Sequence, residues 1–239
     1  RVELAHVRSS DRPTTLAFVH LVHGQASYAF YDENTAGRML LPEDLPVLDD
    51  NVAALHFSCI SLISEPCGST YEALMRRESG RRVTMLDPNI RAGFIPDKQA
   101  HRARLGRMIA MADLVKLSDE DLAWFGETGN HDEIAARWLS RGPKVVVITR
   151  GGQGAVGYTA RGRVEAPARQ VTVADTVGAG DTFNAGILCH LNDTGLLTKD
   201  SVGSLDGDAL RGMLDFAMSA AAVTVSRAGA NPPWRHELD

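Results

Sequence analysis

Short apolar runs alternate along this chain with stretches in which apolar residues recur every three or four positions. The apolar runs predict strands at 53–58, 82–86, 114–116, 145–148 and 170–174. The helical spacing predicts helices at 66–77, 105–111, 119–125, 134–139, 183–191 and 213–225. Because the strands are apolar on both faces and alternate with helices, the pattern predicts an α/β domain with a mainly parallel sheet.

Two shorter pairs of β-like runs stand apart from this alternation. Thr15–Val22 and Ala26–Tyr31 flank His23-Gly24-Gln25, which predicts a β-hairpin. Further along, 155–158 and 163–165 are predicted to pair across Arg161-Gly162. No repeat or low-complexity linker interrupts the chain, so we expect a single domain over residues 1–239.

Composition excludes several classes of protein. The 239 residues are 44% hydrophobic and 23% charged, and the net charge of −5 argues against a nucleic-acid or anionic-membrane binder. No apolar run approaches the ~20 residues of a membrane span. The eight histidines show no zinc-ligand spacing. Cys59 and Cys189 lie in apolar segments and are predicted to be buried, and with Cys67 they indicate a reducing, cytoplasmic setting.

The segment Asp175–Gly186 carries the clearest chemistry. A predicted strand precedes its two glycines and a predicted helix follows them, so the turn between offers unpaired N–H groups and a positive helix end to an anion. Asp181 would repel that anion unless it serves as a base for a nucleophile that attacks a bound phosphate. The segment therefore favours phosphoryl transfer, although a merely structural turn stays an alternative from spacing alone.

A second glycine-rich segment, Gly152–Gly157, matches the dinucleotide fingerprint Gly-x-Gly-x-x-Gly. That fingerprint requires a helix directly after it, but the residues that follow predict strands. We therefore expect a strand–turn–strand that contacts a nucleotide without a Rossmann fold. The sequence contains no P-loop motif.

Taken together, these segments resemble the ribokinase-like (PfkB) carbohydrate kinases over essentially the whole chain. The segments that carry the resemblance are Leu86–Arg91, Thr149–Gly154, Asp175–Asp181 and Ala228–Asn231. Phe30–Asn34 and Ile60–Pro66 resemble the bacterial fructokinase branch. The resemblance implies a three-layer α/β/α domain with a small β lid formed by residues of about 14–33.

The resemblance also implies roles for individual residues. Asp181 would be the base for the sugar hydroxyl, and Arg91 would contact the γ-phosphate or the sugar. The N–H groups that would stabilise the transferring phosphoryl group belong to Gly178, Ala179 and Gly180. The residues that would bind the sugar are Phe30, Tyr31, Arg91 and Asp181. The residues that would bind ATP are Lys116, Thr149, Gly151, Gly154, Ala230 and Asn231.

The implied cofactors are ATP and Mg²⁺, and a K⁺ requirement stays open. The implied partners are a sugar, ATP and a second copy of the chain bound through the β lid, with no nucleic acid and no membrane. The family's Asn-x-x-Glu motif, linked to magnesium, is Ser118-x-x-Asp121 here, so Asp121 is the predicted metal residue, acting in part through water.

Two other departures bear on the acceptor. The keto-acid sugar kinases of the family, and many fructokinases, carry an arginine after the lid tyrosine, whereas this chain has Asp32, which we expect to repel a sugar acid. Family members also begin with a sugar-binding aspartate on a strand, followed by a Gly-Gly turn. This chain shows neither, so we expect it to be N-terminally incomplete by about a quarter of the fold.

These observations predict an ATP-dependent sugar kinase that converts fructose to fructose 6-phosphate. A kinase of 2-keto-3-deoxygluconate or of another sugar is the alternative within the family. A non-catalytic protein that binds nucleotide or sugar is the alternative from another class.

Overall fold

The computed structural model describes residues 3–22 and 25–238, and within them six strands form one sheet in which neighbouring strands follow the order of the chain; a hairpin of two earlier strands, β1 Leu16–Val22 and β2 Gln25–Tyr31, stands apart. The bounds of the six strands are β3 Ala54–Ser58, β4 Val83–Asp87, β5 Leu114–Ser118, β6 Val145–Thr149, β7 Ala155–Thr159 and β8 Gly162–Ala166. Strands β3 to β6 run parallel, and β7 and β8 extend the sheet antiparallel. The parallel strands therefore end along one edge of the sheet.

Helices cover both faces of this sheet. One face carries α1 Cys67–Glu78, α2 Lys98–Ile109, α3 Asp119–Phe125 and α4 His131–Leu139. The other face carries α5 Ala179–Asp193, α6 Lys199–Val202 and α7 Gly207–Val225. No helix in the described ranges is both long enough and apolar enough to cross a membrane. The expected three-layer α/β/α arrangement is confirmed.

The sheet is buried because its central strands are apolar on both faces. All five residues of β4 are buried, and Val145–Ile148 of β6 face the two cores alternately. Local signals set the helix ends: the Ser118 hydroxyl accepts the Asp121 N–H, and the Asp121 carboxylate accepts the Ser118 N–H, which fixes the start of α3. The predicted helix start at Ser118 is confirmed.

A separate hairpin pairs β1 Leu16–Val22 with β2 Gln25–Tyr31, antiparallel. The predicted hairpin is therefore confirmed in its strands, while the turn residues His23 and Gly24 lie outside the described residues.

Two expectations were wrong. The segment 170–174 is irregular instead of a strand, because its backbone bonds to a helix end: the N–H groups of Ala174 and Asp175 both donate to the Val225 carbonyl. The three cysteines are free, but Cys189 is exposed and Cys59 is half-buried, and only Cys67 is buried. Cys189 lies on α5, where it lines a cavity together with Phe216, Pro232 and Pro233.

Candidate active site

The site residues lie where the parallel strands end. Asp87 is the last residue of β4 and Thr149 the last of β6, while α5 begins at Ala179 above this edge. The carboxyl edge of an open α/β sheet is where such folds bind ligands. The local connections thus bring distant parts of the sequence to one place.

The turn Gly178–Asp181, called here the anion turn, opens α5. Gly178 has φ 78° and ψ 0°, a left-handed conformation that favours glycine. A Cβ at this position would also lie 3.2 Å from the Ala230 Cβ, so the turn packs against the 228–231 segment. The first N–H groups of a helix have no partner inside it, although the Ala179 N–H makes a 3.3 Å bond to the Thr176 carbonyl. This geometry suits an anion.

Asp175 holds the anion turn in place from its other side. Its carboxylate accepts the Val177 N–H at 3.0 Å and the Gly229 N–H at 2.9 Å. These two backbone hydrogen bonds lower the pKa of Asp175. The carboxylate therefore joins the turn before α5 to the segment after α7.

Asp181 is the third residue of α5, and it is exposed. Its charge reaches Cys59, at the end of β3: burial raises the pKa of the Cys59 thiol, Arg91 opposes that rise, and Asp181 and Asp87 add to it. The charges of Arg91, Asp181 and Asp87 thus all act on the Cys59 thiol, and the roles of Arg91 and Asp181 in the reaction stay predictions. An exposed carboxylate at a helix N-terminus is free to accept a proton from a bound hydroxyl.

An apolar cavity of about 410 Å³ lies beside the anion turn. Its volume is within the ~300–1,000 Å³ of small-molecule sites. Its walls come from the turn after β6, the 168–173 segment and the facing sides of α5 and α7. The main lining residues are Thr149, Gly151, Gly152, Gly154, Val171, Val173, Ala179, Gly180, Phe183, Met218, Ala221, Ala222 and Val225. An apolar slot with glycine backbone at its mouth suits a nucleotide base and its phosphates.

The predicted ATP-binding residues divide into two groups. Thr149, Gly151 and Gly154 line the apolar cavity. Three others are not among its lining residues: Ala230 packs on the anion turn, Asn231 is exposed next to it, and Lys116 is buried at the sheet edge with its ammonium bonded to Asp87. The glycine segment 152–157 forms a turn and strand, as expected, and no helix.

Arg91 and Asp121 are tied to the loop that follows β4. The Arg91 guanidinium donates to the Asn89 and Ile90 carbonyls at 3.3 and 3.1 Å. The Asp121 carboxylate, 2% exposed, accepts the Ile90 N–H and both the N–H and the hydroxyl of Ser118, each at 2.8 Å. A metal bound directly to Asp121 would compete with these bonds. Among the described residues, no three histidine, cysteine or carboxylate side chains are grouped as a metal site.

Among the described residues, an aromatic pair and a carboxylate connect the hairpin with the body of the protein. The Phe30 ring packs on Phe94 with centroids 5.0 Å apart, whereas Tyr31 is 62% exposed and packs on Phe18. Asp32 is buried and accepts hydrogen bonds from three hydroxyls, those of Thr15, Thr35 and Ser64. This carboxylate joins the base of the hairpin to the body, and the expectation that Asp32 repels a sugar acid stays a prediction.

Sequence reasoning missed two buried polar residues at this edge, Asp87 and Asn184. Asn184 donates to Asp87 at 2.7 Å across 97 positions of the chain. The sequence does contain one indication of them: Lys116 lies inside the apolar run Leu114–Leu117, and a buried lysine requires a buried partner of opposite charge.

Comparison with known proteins gives one consistent result. A family model described as "pfkB family carbohydrate kinase" matches residues 1–237. A fructokinase of Rhizobium leguminosarum bv. trifolii is 62% identical over 202 residues, which are 84% of this chain and 62% of that protein. Fructokinase-2 of Zea mays is 31% identical, over 92% of this chain and 65% of that protein. The chain thus spans less than two thirds of the length of these two relatives.

Solved structures agree in fold. A fructokinase with bound ATP from Xylella fastidiosa superposes with a TM-score of 0.80 at 26% identity, over 94% of this chain and 71% of that one. An aminoimidazole riboside kinase from Salmonella enterica superposes with a TM-score of 0.80 at 23% identity, over 98% of this chain and 75% of that one. The ribokinase-like fold expected from the sequence is confirmed.

Proposed function

Because this chain belongs to the pfkB family of carbohydrate kinases, we propose that it transfers the γ-phosphoryl group of ATP to a sugar hydroxyl and converts fructose to fructose 6-phosphate. The observation that carries the proposal is that the anion turn forms part of the wall of the apolar cavity. Ala179 and Gly180 of the anion turn line the apolar cavity, and Asp181 follows them directly on the same helix. A phosphate tail that leaves the cavity would therefore meet the turn next to a carboxylate.

In the proposed reaction, Asp181 takes the proton of the sugar hydroxyl as that oxygen bonds to the γ-phosphorus. The bond between the γ-phosphorus and the bridging oxygen breaks, and ADP leaves with that oxygen. The N–H groups of Gly178, Ala179 and Gly180 would stabilise the charge on the transferring group, and each such donor is worth ~3–4 kcal/mol in comparable sites. Arg91 would hold the γ-phosphate or the sugar from the loop after β4.

The residues described fit ATP better than they fit a protein-bound metal. The apolar walls of the cavity suit adenine, and the glycine turn and helix N-terminus suit phosphate. Magnesium would neutralise phosphate charge, and proteins often bind it mainly through phosphates and water. Because the Asp121 oxygens already accept three hydrogen bonds, we derive no step through a metal on Asp121. The K⁺ requirement is a separate proposal, tested by replacing K⁺ with Na⁺ in the assay.

Fructose is the first choice of acceptor because relatives at 62% and 31% identity are named as fructokinases. Hydrogen bonds from three neutral hydroxyls do not cancel the charge of a carboxylate, so the preference of Asp32 for fructose over a keto acid stays a prediction that the acceptor panel tests. Phe30 packs on Phe94, and its role as a wall of the sugar site stays a prediction. Tyr31, which points to solvent, stays a prediction.

We also propose that the protein forms a homodimer through the hairpin and works in the cytoplasm. Leu16, Phe18 and Tyr31 are 48%, 50% and 62% exposed on this small sheet, which is an unusual amount of apolar surface for two strands. Three free cysteines support a reducing compartment.

The test is ADP formation by the full-length protein with ATP, magnesium and a panel of acceptors. The panel contains fructose, glucose, ribose, a nucleoside and 2-keto-3-deoxygluconate. We expect turnover with fructose at the highest kcat/KM. Turnover with the keto acid and none with fructose would overturn the acceptor. Tight ATP binding without turnover on any acceptor would support a non-catalytic binding protein instead.

A further inference from the structure

A second cavity, called here the hairpin-base cavity, lies beside the start of α2. Its volume is about 480 Å³, which exceeds that of the apolar cavity at the anion turn. No residue lines both cavities. Much of the wall is apolar, and this part consists of Ile63, Phe94, Ile95, Pro96 and Ala100. A cavity of this size with apolar walls suits a small organic molecule.

A buried histidine lines this cavity. His101 is 4% exposed, and neither of its ring nitrogens makes a hydrogen bond within the described ranges. Burial, and next Arg104, lowers the pKa of His101 to about 4, while the nearby Leu62 carbonyl, which already accepts from Arg104, opposes this fall. At neutral pH the imidazole is therefore uncharged, with one N–H to donate and one nitrogen to accept. A buried polar group without a partner is costly, and a molecule bound in the cavity would supply that partner.

The charges around the hairpin-base cavity favour one negative charge inside it. Arg104 is already paired with Glu65 and Glu72. The Arg38 Nε donates to the Glu65 carbonyl at 3.2 Å, whereas the two terminal nitrogens of Arg38 have no partner among the described residues. The N-terminus of α2 also lies in the wall and favours an anion. The exposed carboxylates of Asp97 and Glu65 line the cavity too, and they disfavour a second negative charge.

Two lining residues hold the base of the hairpin. The Ser64 hydroxyl donates to the Asp32 carboxylate at 2.8 Å, and the Phe94 ring packs on Phe30. A molecule in the hairpin-base cavity would therefore touch the body-side partner of both contacts. Filling the cavity adds contacts to these partners, which favours the arrangement in which they hold the hairpin.

We propose that the hairpin-base cavity binds a small organic acid with one carboxylate and an apolar body, and that the bound acid steadies the hairpin. Arg38 and His101 would donate to the carboxylate, and the body would pack on Phe94 and Ile63. A steadier hairpin tightens the binding of the acceptor sugar. This second part rests on the proposed function, which it deepens by naming a class of molecule that regulates the site.

The test uses benzoate and isovalerate as probes, each beside its uncharged amide, with the full-length protein. Binding is measured by calorimetry, and Trp124 fluorescence gives a second signal because its ring centroid lies 5.9 Å from that of His101. We expect both acids to bind at least about tenfold more tightly than their amides, because hydrogen bonds to a charged group are the stronger ones. Failure of both acids to bind at millimolar concentration, or amides that bind equally well, would overturn the proposal. Displacement of the acids by ATP would also overturn it, since the acids would then lie in the apolar cavity.

Three variants locate the site. Arg38→Met should weaken binding of the acids by about tenfold or more and binding of the amides by less than about threefold. Ala100→Trp fills the cavity from an exposed helix position without changing a charge, so it should abolish binding of acids and amides alike. Arg102→Met is the matched control, because Arg102 is also on α2 but lies over the Phe125 ring and does not line the cavity. Wild-type affinity for the acids in either of the first two variants, or its loss in the control, would overturn the site.

The effect on the hairpin is measured in the fructose assay. With either acid saturating, KM for fructose should fall by about fivefold or more with kcat unchanged. Fructose should in turn tighten the binding of the acid, because such coupling is reciprocal. An unchanged KM together with an unchanged affinity for the acid would overturn the regulatory part. The affinity for the acid needs no turnover, so a wild type that binds both acids but phosphorylates no acceptor would contradict the proposed function and leave the site standing.

Discussion

Gly186 lies where α5 meets α7, and its replacement by alanine tests the contact on which the position of α5 depends. A Cβ at Gly186 would lie 2.7 Å from the Ala217 Cα and 3.3 Å from the Ala217 Cβ. Carbon atoms pack at about 3.5–4.0 Å, so the two backbones would have to separate by about 1 Å. No flexible side chain can move aside, because the nearest obstacle is the backbone of α7.

Two opposing effects decide the sign of the change. Alanine is favoured over glycine inside a helix by about 1 kcal/mol. Overpacking a filled core costs ~1–3 kcal/mol of stability. Because the added Cβ would meet backbone atoms of α7, we expect the cost at Gly186 to lie at the upper end of this range or above it. We therefore expect Gly186→Ala to lower the free energy of unfolding by about 1–2 kcal/mol, which for a chain of this size lowers Tm by about 2–8 °C.

The matched control is Gly106→Ala in α2. Gly106 is also a helical glycine, but a Cβ there meets nothing within 4 Å. This variant should gain about 1 kcal/mol from helix propensity alone. Both variants are compared with the wild type by urea unfolding followed by circular dichroism. If Gly186→Ala is stabilised as much as Gly106→Ala, the reasoning about the α5–α7 contact is refuted.

Three further predictions follow from single contacts. Gly154→Ala should abolish ATP binding in calorimetry. Gly154 has a φ of 94°, and an added Cβ would lie 2.1 Å from the Ala166 carbonyl oxygen. Gly80→Ala is the control and should bind ATP normally, because a Cβ at Gly80 meets nothing within 4 Å. Burial, and next Arg104, lowers the pKa of His101 to about 4. In the unfolded state the pKa of His101 is near 6.5, so between pH 6.5 and pH 4 the unfolded state binds a proton that the folded state does not bind. The free energy of unfolding should therefore fall by up to about 3 kcal/mol from pH 6.5 to pH 4. In His101→Leu this contribution to the pH dependence of the free energy of unfolding, measured by urea unfolding between pH 6.5 and pH 4, should be absent. The same pH dependence in the variant as in the wild type would show that His101 is not its cause. Phe18→Ser should shift the protein from dimer to monomer in light scattering, and an unchanged mass would rule out the hairpin interface.

The sequence predicts well those features whose deciding interactions are between residues close together in the chain. The start of α3 at Ser118 follows from a capping box within four residues, and the buried strands follow from runs such as Val145–Ile148. The glycine segment 152–157 is correctly separated from a dinucleotide fold because the residues after it favour strands. In each case the deciding partners are close neighbours in the chain.

The same reasoning fails where distant partners decide. Val171 and Val173 have the β-branched pattern of a strand, yet they are 41% and 60% exposed, and the backbone that follows them bonds to the end of α7. The buried position of Asp32 likewise depends on hydroxyl partners as far as 32 positions away in the chain. The hydrogen bonds that Asp87 accepts from Lys116 and Asn184 join positions 29 and 97 residues apart, which no local pattern specifies.

The Asp181→Asn variant tests most directly the proposed role of Asp181 as the base at the anion turn. Its kcat for ADP formation with fructose, and its ATP affinity by calorimetry, are compared with those of the wild type. Loss of a general base costs about 10²–10⁴-fold in rate. We predict a fall in kcat of at least about a hundredfold with ATP affinity changed less than about threefold, and unchanged unfolding, since Asp181 is exposed. A variant that keeps the wild-type kcat would contradict the account.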